Sequence, residues 1–252
     1  MTCEKNEPVI SDEPVIPPTD QPKEPQESIS TDGIINWNNE FIIVGDNNMA
    51  NIGSNDWNAV TYGNGRYVTV GDSNSAACSI DGINWTATSG FNDLSGICYG
   101  NGKFIAVGTG GNVRYSDDGA GWSTVTIPGK TNLRAVCYEN GKFVAVGENG
   151  VIAYSTDGIN WETARIETFS KFNDVIYVNG KFIAAGGNGE IASSTDGANW
   201  TFITLENIGQ IFNIVYENGR YVAVSGAGYI AYSNDGVNWT TTTITGNSLN
   251  RI

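Results

Sequence analysis

The sequence predicts an all-β fold: a β-propeller of six blades, each of four antiparallel strands, behind a disordered N-terminal tether. Three observations predict it. A segment of 37 to 39 residues recurs along the chain, ending at Trp85, Trp122, Trp161, Trp200 and Trp239 in successive copies. Every copy carries an Asn-Gly pair between two β-rich runs and closes on S-x-D-G-x-x-W. The 252 residues also hold 32 glycines beside 7 Trp, 11 Tyr and 9 Phe, which describes many tight turns between aromatic-rich strands.

Residues 1–28 form the tether. Six of the seven prolines lie there, among seven acidic and two basic residues. Such a segment buries too little apolar surface to offset its chain entropy. Cys3 at its head resembles the lipid-attachment cysteine of a bacterial lipoprotein. The other reading is an incidental exposed cysteine.

The remaining chain, 29–252, reads as one domain, with blades at about 29–56, 57–90, 91–128, 129–167, 168–206 and 207–246. In each full copy, strand a ends in Tyr, as in Ala135–Tyr138. Asn140-Gly141 and its equivalents supply the positive φ angles of a type I′ turn, so strand b folds back antiparallel. Strand b is Lys-Phe-Val-Ala-Val-Gly or a close variant, and strand c follows a Gly-rich loop, as in Val151–Ser155. Strand d runs on from the Trp. The first blade is degenerate, with Ile34–Trp37, Phe41–Gly45 and Met49–Ile52 as strands a, b and c and no strand d. Residues 248–252 are expected to act as a closing strand. One four-stranded sheet cannot bury both faces alone, and stacking sheets around an axis covers each with its neighbours.

Composition narrows the function. A net charge of −14 repels phosphate backbones and anionic membranes, so no nucleic-acid partner is expected and a membrane is reached only through a lipid anchor. The chain has no histidine, which removes Ser-His-Asp and Cys-His catalysis and the commonest transition-metal ligand. No cofactor and no metal site is expected. The four cysteines form no CxxC pair. Cys98 and Cys137 share one strand-a slot in consecutive copies and read as small packing residues, as does Cys78 in strand c.

The segment S-x-D-G-x-x-W resembles the Asp-box, or BNR repeat, of sialidase-like propellers. Five copies match: Ser79-Asp81-Gly82-Trp85, Ser116-Asp118-Gly119-Trp122, Ser155-Asp157-Gly158-Trp161, Ser194-Asp196-Gly197-Trp200 and Ser233-Asp235-Gly236-Trp239. Asp and Ser in such a turn bond to backbone N–H groups, Gly permits the tight backbone, and Trp covers the blade edge. The resemblance implies that these boxes sit on the rim opposite any active site.

The same resemblance raises glycoside hydrolysis, and the residues argue against it. Sialidase-like enzymes imply an arginine triad and an Arg-Ile-Pro motif. The chain has six arginines, of which Arg66 and Arg220 occupy a repeat slot beside the Asn-Gly turn, and its Arg251-Ile252 is terminal. Glu148 and Glu190, in the b–c loops of neighbouring blades, are the best remaining carboxylate pair and also read as two solvated loop acids.

The b–c and d–a loops share one rim in a propeller. There the sequence places the acids Asp72, Asp93, Glu148 and Glu190, the lysines Lys130 and Lys171, and the aromatic residues Phe91, Phe169, Phe172 and Tyr229. Rings among charged and amide groups suit a glycan or a peptide. The expected function is therefore a non-catalytic binding or scaffold propeller. It would be monomeric and exported, either anchored at the cell surface or secreted, with a glycan or protein partner. A sialidase-like hydrolase and an assembly factor are the alternatives.

Overall fold

The computed structural model describes residues 29–30, 34–37, 40–43, 57–72, 75–90, 92–165, 170–226 and 228–243, the side chains of 29–43, 89 and 165 excepted. The tether with Cys3, strand c of the first blade and the closing strand 248–252 lie outside the described residues.

Five antiparallel sheets of the repeat follow one another, each in the order a-b-c-d. The first comprises Trp57–Gly63, Arg66–Gly71, Ser75–Ser79 and Thr86–Ser89. The second comprises Leu94–Gly100, Lys103–Gly108, Asn112–Ser116 and Ser123–Thr126. The third comprises Leu133–Glu139, Lys142–Gly147, Val151–Ser155 and Glu162–Arg165. The fourth comprises Phe172–Val178, Lys181–Gly186, Glu190–Ser194 and Thr201–Thr204. The fifth comprises Ile211–Glu217, Arg220–Ser225, Tyr229–Ser233 and Thr240–Thr243.

The Asn-Gly pairs do what their chemistry requires. Asn140 has φ 51 and Gly141 φ 72, and the turn they make pairs Glu139 with Lys142. A sixth hairpin joins Ile34–Trp37 to Glu40–Ile43, with Trp37 opposite Glu40. Ile29–Ser30 is a separate short strand. It pairs antiparallel with strand a of the first sheet, on the edge away from strand b, with Ile29 opposite Val60 and Ser30 opposite Ala59. The first blade was expected to start at residue 29, and this strand instead joins the next sheet.

Strand a contains a feature that alternation along the sequence conceals. In all five sheets its register shifts between the first and third residues, as between Leu133 and Ala135. Numbering strand a by slot, the bulge releases slot 2 from the ladder and leaves slots 1 and 4 apolar: Trp57 and Val60, Leu94 and Ile97, Leu133 and Val136, Phe172 and Val175, Ile211 and Ile214.

Those two slots build the core. Phe172 and Val175, with Phe182, Ala184 and Ala192, pack on Ala135, Cys137, Val144, Val146 and Ile152 of the preceding sheet. The same scheme joins the first sheet to the second, the second to the third and the fourth to the fifth. At three of these four contacts, through Gly119, Gly158 and Gly197, the turn glycine lies against the sheet before it. A Cβ on Gly158 would lie 2.5 Å from Cδ1 of Ile105 in the sheet before it. Cys78, Cys98 and Cys137 are free and buried, as packing residues should be. Burial pushes the Cys98 thiol above its usual range and holds it neutral.

Candidate functional site

Two rims result, and they differ in what their side chains are free to do. On one rim the a–b turns meet the c–d turns of the next sheet: Nδ2 of Asn64 donates to the Asp117 carbonyl at 3.1 Å, and Nδ2 of Asn101 to the Thr156 carbonyl at 3.2 Å.

The S-x-D-G-x-x-W turns of this rim are self-contained. Oδ1 of Asp157 accepts from the N–H groups of Ile159 and Asn160 at 2.8 Å each and from the Ser155 hydroxyl at 2.9 Å. Its Oδ2 accepts from Nδ2 of Asn160 at 2.7 Å. Oγ of Ser155 accepts from Gly158 N–H at 2.9 Å, and Nε1 of Trp161 donates to the Gly158 carbonyl at 3.0 Å. Asp81, Asp196 and Asp235 repeat the pattern. At Asp118, Gly121 replaces the Asn, so only the backbone and Ser116 donate. Donors on both oxygens, the Asn N–H first, hold Asp81, Asp157, Asp196 and Asp235 well below the usual carboxylate range. These carboxylates are occupied in shaping turns.

The sign of the pH effect follows. Groups with depressed folded values stabilise fully above about pH 4, the ordinary carboxylate value, and lose that contribution as pH falls through the folded value. The denaturation midpoint should therefore fall steadily on acidification below about pH 4, and Asp157→Asn should make the fall shallower. A midpoint independent of pH in that range contradicts the assignment.

The opposite rim carries the b–c and d–a loops, joined by backbone bonds. Glu148 N–H donates to the Asn132 carbonyl at 2.9 Å and Gly150 N–H to Ser170 at 2.7 Å, so one b–c loop ties the d–a loops on both sides of it. Thr109 to Asp93, Gly187 to Lys171 and Gly226 to Gln210 repeat the first of these bonds. Gly147 makes the approach possible, since a Cβ there would lie 2.0 Å from the Asn132 carbonyl oxygen.

Polar side chains gather on this frame. Nη2 of Arg134 donates to Oε1 of Glu148 at 2.8 Å, and Nδ2 of Asn132 to Oε2 at 3.2 Å, while Oδ1 of Asn132 accepts from Gly110 N–H at 2.7 Å. Nδ2 of Asn58 donates to Oδ1 of Asp72 at 2.7 Å and to the Leu94 carbonyl at 2.9 Å. Nδ2 of Asn173 donates to the Ile211 carbonyl at 2.6 Å. Phe212 lies against Gly226.

Several expectations are corrected. Glu190 is the first residue of strand c, opposite Thr204, and not a loop residue; Tyr229 holds the same slot in the fifth sheet. The carboxylate of Glu148 is tied to a guanidinium rather than standing in solvent. Phe172 is fully buried in slot 1 and does not belong to the rim. Asp93 and Lys130 are exposed, and Lys171 is half-buried. Phe91 and Phe169 lie outside the described residues. Among the described residues, no group of three or more His, Cys, Asp or Glu side chains converges as a metal site.

Sequence reasoning missed Asn58, Arg134, Asn173 and Phe212. All four occupy slot 2, the position freed by the bulge. The signal was present as contrast between copies: slot 2 reads Asn, Ser, Arg, Asn, Phe while its neighbours in slots 1 and 4 stay apolar.

The fold is that of a β-propeller. Within that class the chain is similar to YCF48 from Cyanidioschyzon merolae, at 14% identity and a TM-score of 0.65 over 87% of this chain and 86% of that one. It is also similar to a structure of YCF48 bound to D1 peptide, at 18% identity and a TM-score of 0.60 over 79% and 77%. Virginiamycin B lyase from Staphylococcus aureus matches at 13% identity and a TM-score of 0.66 over 74% and 69%. No protein-family model matches the chain, and no curated protein does.

Proposed function

We propose that this protein is a non-catalytic binding propeller that holds a protein segment or a glycan on its loop rim. One observation carries the reading: the strand-a bulge brings variable polar and aromatic side chains to that rim, while the opposite rim repeats one self-satisfied turn. Asn58, Arg134 and Phe212 would form the inner contacts. Asp72, Asp93, Lys130, Glu148, Lys171, Glu190 and Tyr229 would form the outer ones, with Phe91 and Phe169. A peptide is the favoured ligand, supported by the likeness in fold to a propeller solved with a peptide. Membership of the Asp-box group, export and attachment through Cys3 belong to the same reading, with the propeller acting as a monomer.

The test is binding of the full chain to peptide and glycan panels, repeated with Arg134→Ala and Phe212→Ala. Arg134 and Glu148 are both partly exposed, so losing the pair should cost about 1 kcal/mol of stability or less. Binding should drop at least about tenfold in either variant, the loss expected for one good contact. Binding that survives both variants but is lost on substituting turn-rim residues such as Ile83 would reverse the assignment of rims. Turnover of a fluorogenic glycoside that disappears in Glu148→Gln would replace binding with hydrolysis.

A further inference from the structure

Among the described residues, the fifth sheet is the one whose far face is incompletely covered. Its Val222 and Ile230 are half-buried, although their equivalents Val144, Ile152, Ile183 and Ile191 are at most 2% exposed. Val215 beside them is also half-buried, as is Ile176 in the same slot of the fourth sheet, whereas Cys98 and Cys137 there are buried. In every other sheet this face is covered by slots 1 and 4 of the next strand a.

The chain carries one more copy of that pattern. Leu249-Asn250-Arg251-Ile252 repeats the slot 1 to 4 sequence of Leu133-Arg134-Ala135-Val136 and Leu94-Ser95-Gly96-Ile97. Leu249 follows Trp239 by 10 residues, against 9 from Trp85 to Leu94 and 11 in the three copies after it. We infer that residues 249–252 form a further strand a. Leu249 and Ile252 seat on Val215, Val222 and Ile230 of the fifth sheet.

A buried polar relay points the same way. Oδ2 of Asp174, in slot 3 of the fourth sheet, accepts from Nδ2 of Asn213 in slot 3 of the fifth at 2.8 Å and from the slot 4 N–H of Ile214 at 2.9 Å. The same relation, advanced by one sheet, brings Arg251 and the N–H of Ile252 to Asn213. The rival occupant is the first hairpin. Because Trp37 lies opposite Glu40, it sits in slot 7, so slot 1 falls on Thr31, whose hydroxyl suits an apolar seat poorly.

Hydrogen exchange and thermal unfolding of the full chain test this. Leu249→Asp and Ile252→Asp should raise exchange in Arg220–Ser225 and Tyr229–Ser233 at least tenfold, and Leu249→Ala should give the same pattern more weakly. The midpoint should fall by roughly 5 °C or more in the Asp variants. Asn250→Asp, in slot 2, should leave both readouts unchanged, and the effects should not vary with protein concentration. Unchanged exchange in the fifth sheet for the Leu249 variants, or an equal rise with Asn250→Asp, overturns the inference. So does a rise produced by Ile34→Asp alone, which would seat the hairpin there. Concentration-dependent protection would place a second copy on the face and overturn it equally. None of these results depends on the ligand-binding reading.

Discussion

Gly147→Ala should lower the unfolding free energy by about 3 kcal/mol, the upper end of ordinary overpacking, read from the denaturant midpoint at constant m-value. The reason is contact rather than backbone angle, because Gly147 has an extended φ of −168. An alanine Cβ would stand 2.0 Å from the Asn132 carbonyl oxygen and 2.8 Å from Cα of Leu133, both backbone atoms that no side-chain rotation can clear. The strand end and the d–a loop must separate. That breaks the 2.9 Å bond from Glu148 N–H to Asn132 and releases the carboxylate that pairs with Arg134. Loop-rim binding should therefore weaken along with stability. Gly141→Ala is the control. Nothing lies within 4 Å of its Cβ, and only its φ of +72 is unfavourable, so about 1–2 kcal/mol is expected, with the loop rim undisturbed. Equal losses in the two variants would mean that the close approach at Gly147 is not what positions the rim.

Asp174→Ala should cost about 3 kcal/mol or more, because each buried donor left unsatisfied costs about 1–3 kcal/mol. Asp174 is buried, and besides the two bonds to the fifth sheet it accepts from Val175 N–H at 2.8 Å. Removing the carboxylate takes an acceptor from an amide and two backbone N–H groups inside the contact between two sheets. Asp174→Asn should be intermediate, since an amide oxygen in the place of Oδ2 keeps the bonds from Asn213 and Ile214 while the NH₂ meets the Val175 N–H. Chemical denaturation gives the magnitude, and exchange across Ile211–Glu217 shows whether the loss is centred on that contact. A loss below 1 kcal/mol, with no change in exchange, would mean that the carboxylate does not join the sheets.

Much of this architecture is legible in the sequence alone, for reasons that differ by element. Asn-Gly fixes two positive φ angles, so each a–b hairpin and its register followed from two residues. The c–d turn was equally readable, since Ser, Asp and Trp at fixed spacing leave one way to satisfy that loop. Strand a runs over Leu133–Glu139 and not only the expected Ala135–Tyr138, because the bulge interrupts the period-2 alternation that marks a strand. That interruption also hid slot 2 and therefore Arg134, Asn173 and Phe212. Phe172 was assigned to the rim for the same cause, since the last residue of a d–a loop and the first of a shifted strand look alike in sequence. Composition could not show that Glu148 is paired, because its partner Arg134 lies 14 residues away and meets it only through the strand a–strand b hairpin.

Slots 1 and 4 of strand a in the second to fifth sheets cover the sheet before, in succession around an axis. A crystal structure of the full chain tests this most directly. It should show Phe172 and Val175 seated against Cys137, Val144 and Ile152, the equivalent pairs at every other sheet contact, and strand a innermost throughout. Sheets that stack along a line with no common axis, or that meet through their strand d edges, would contradict it.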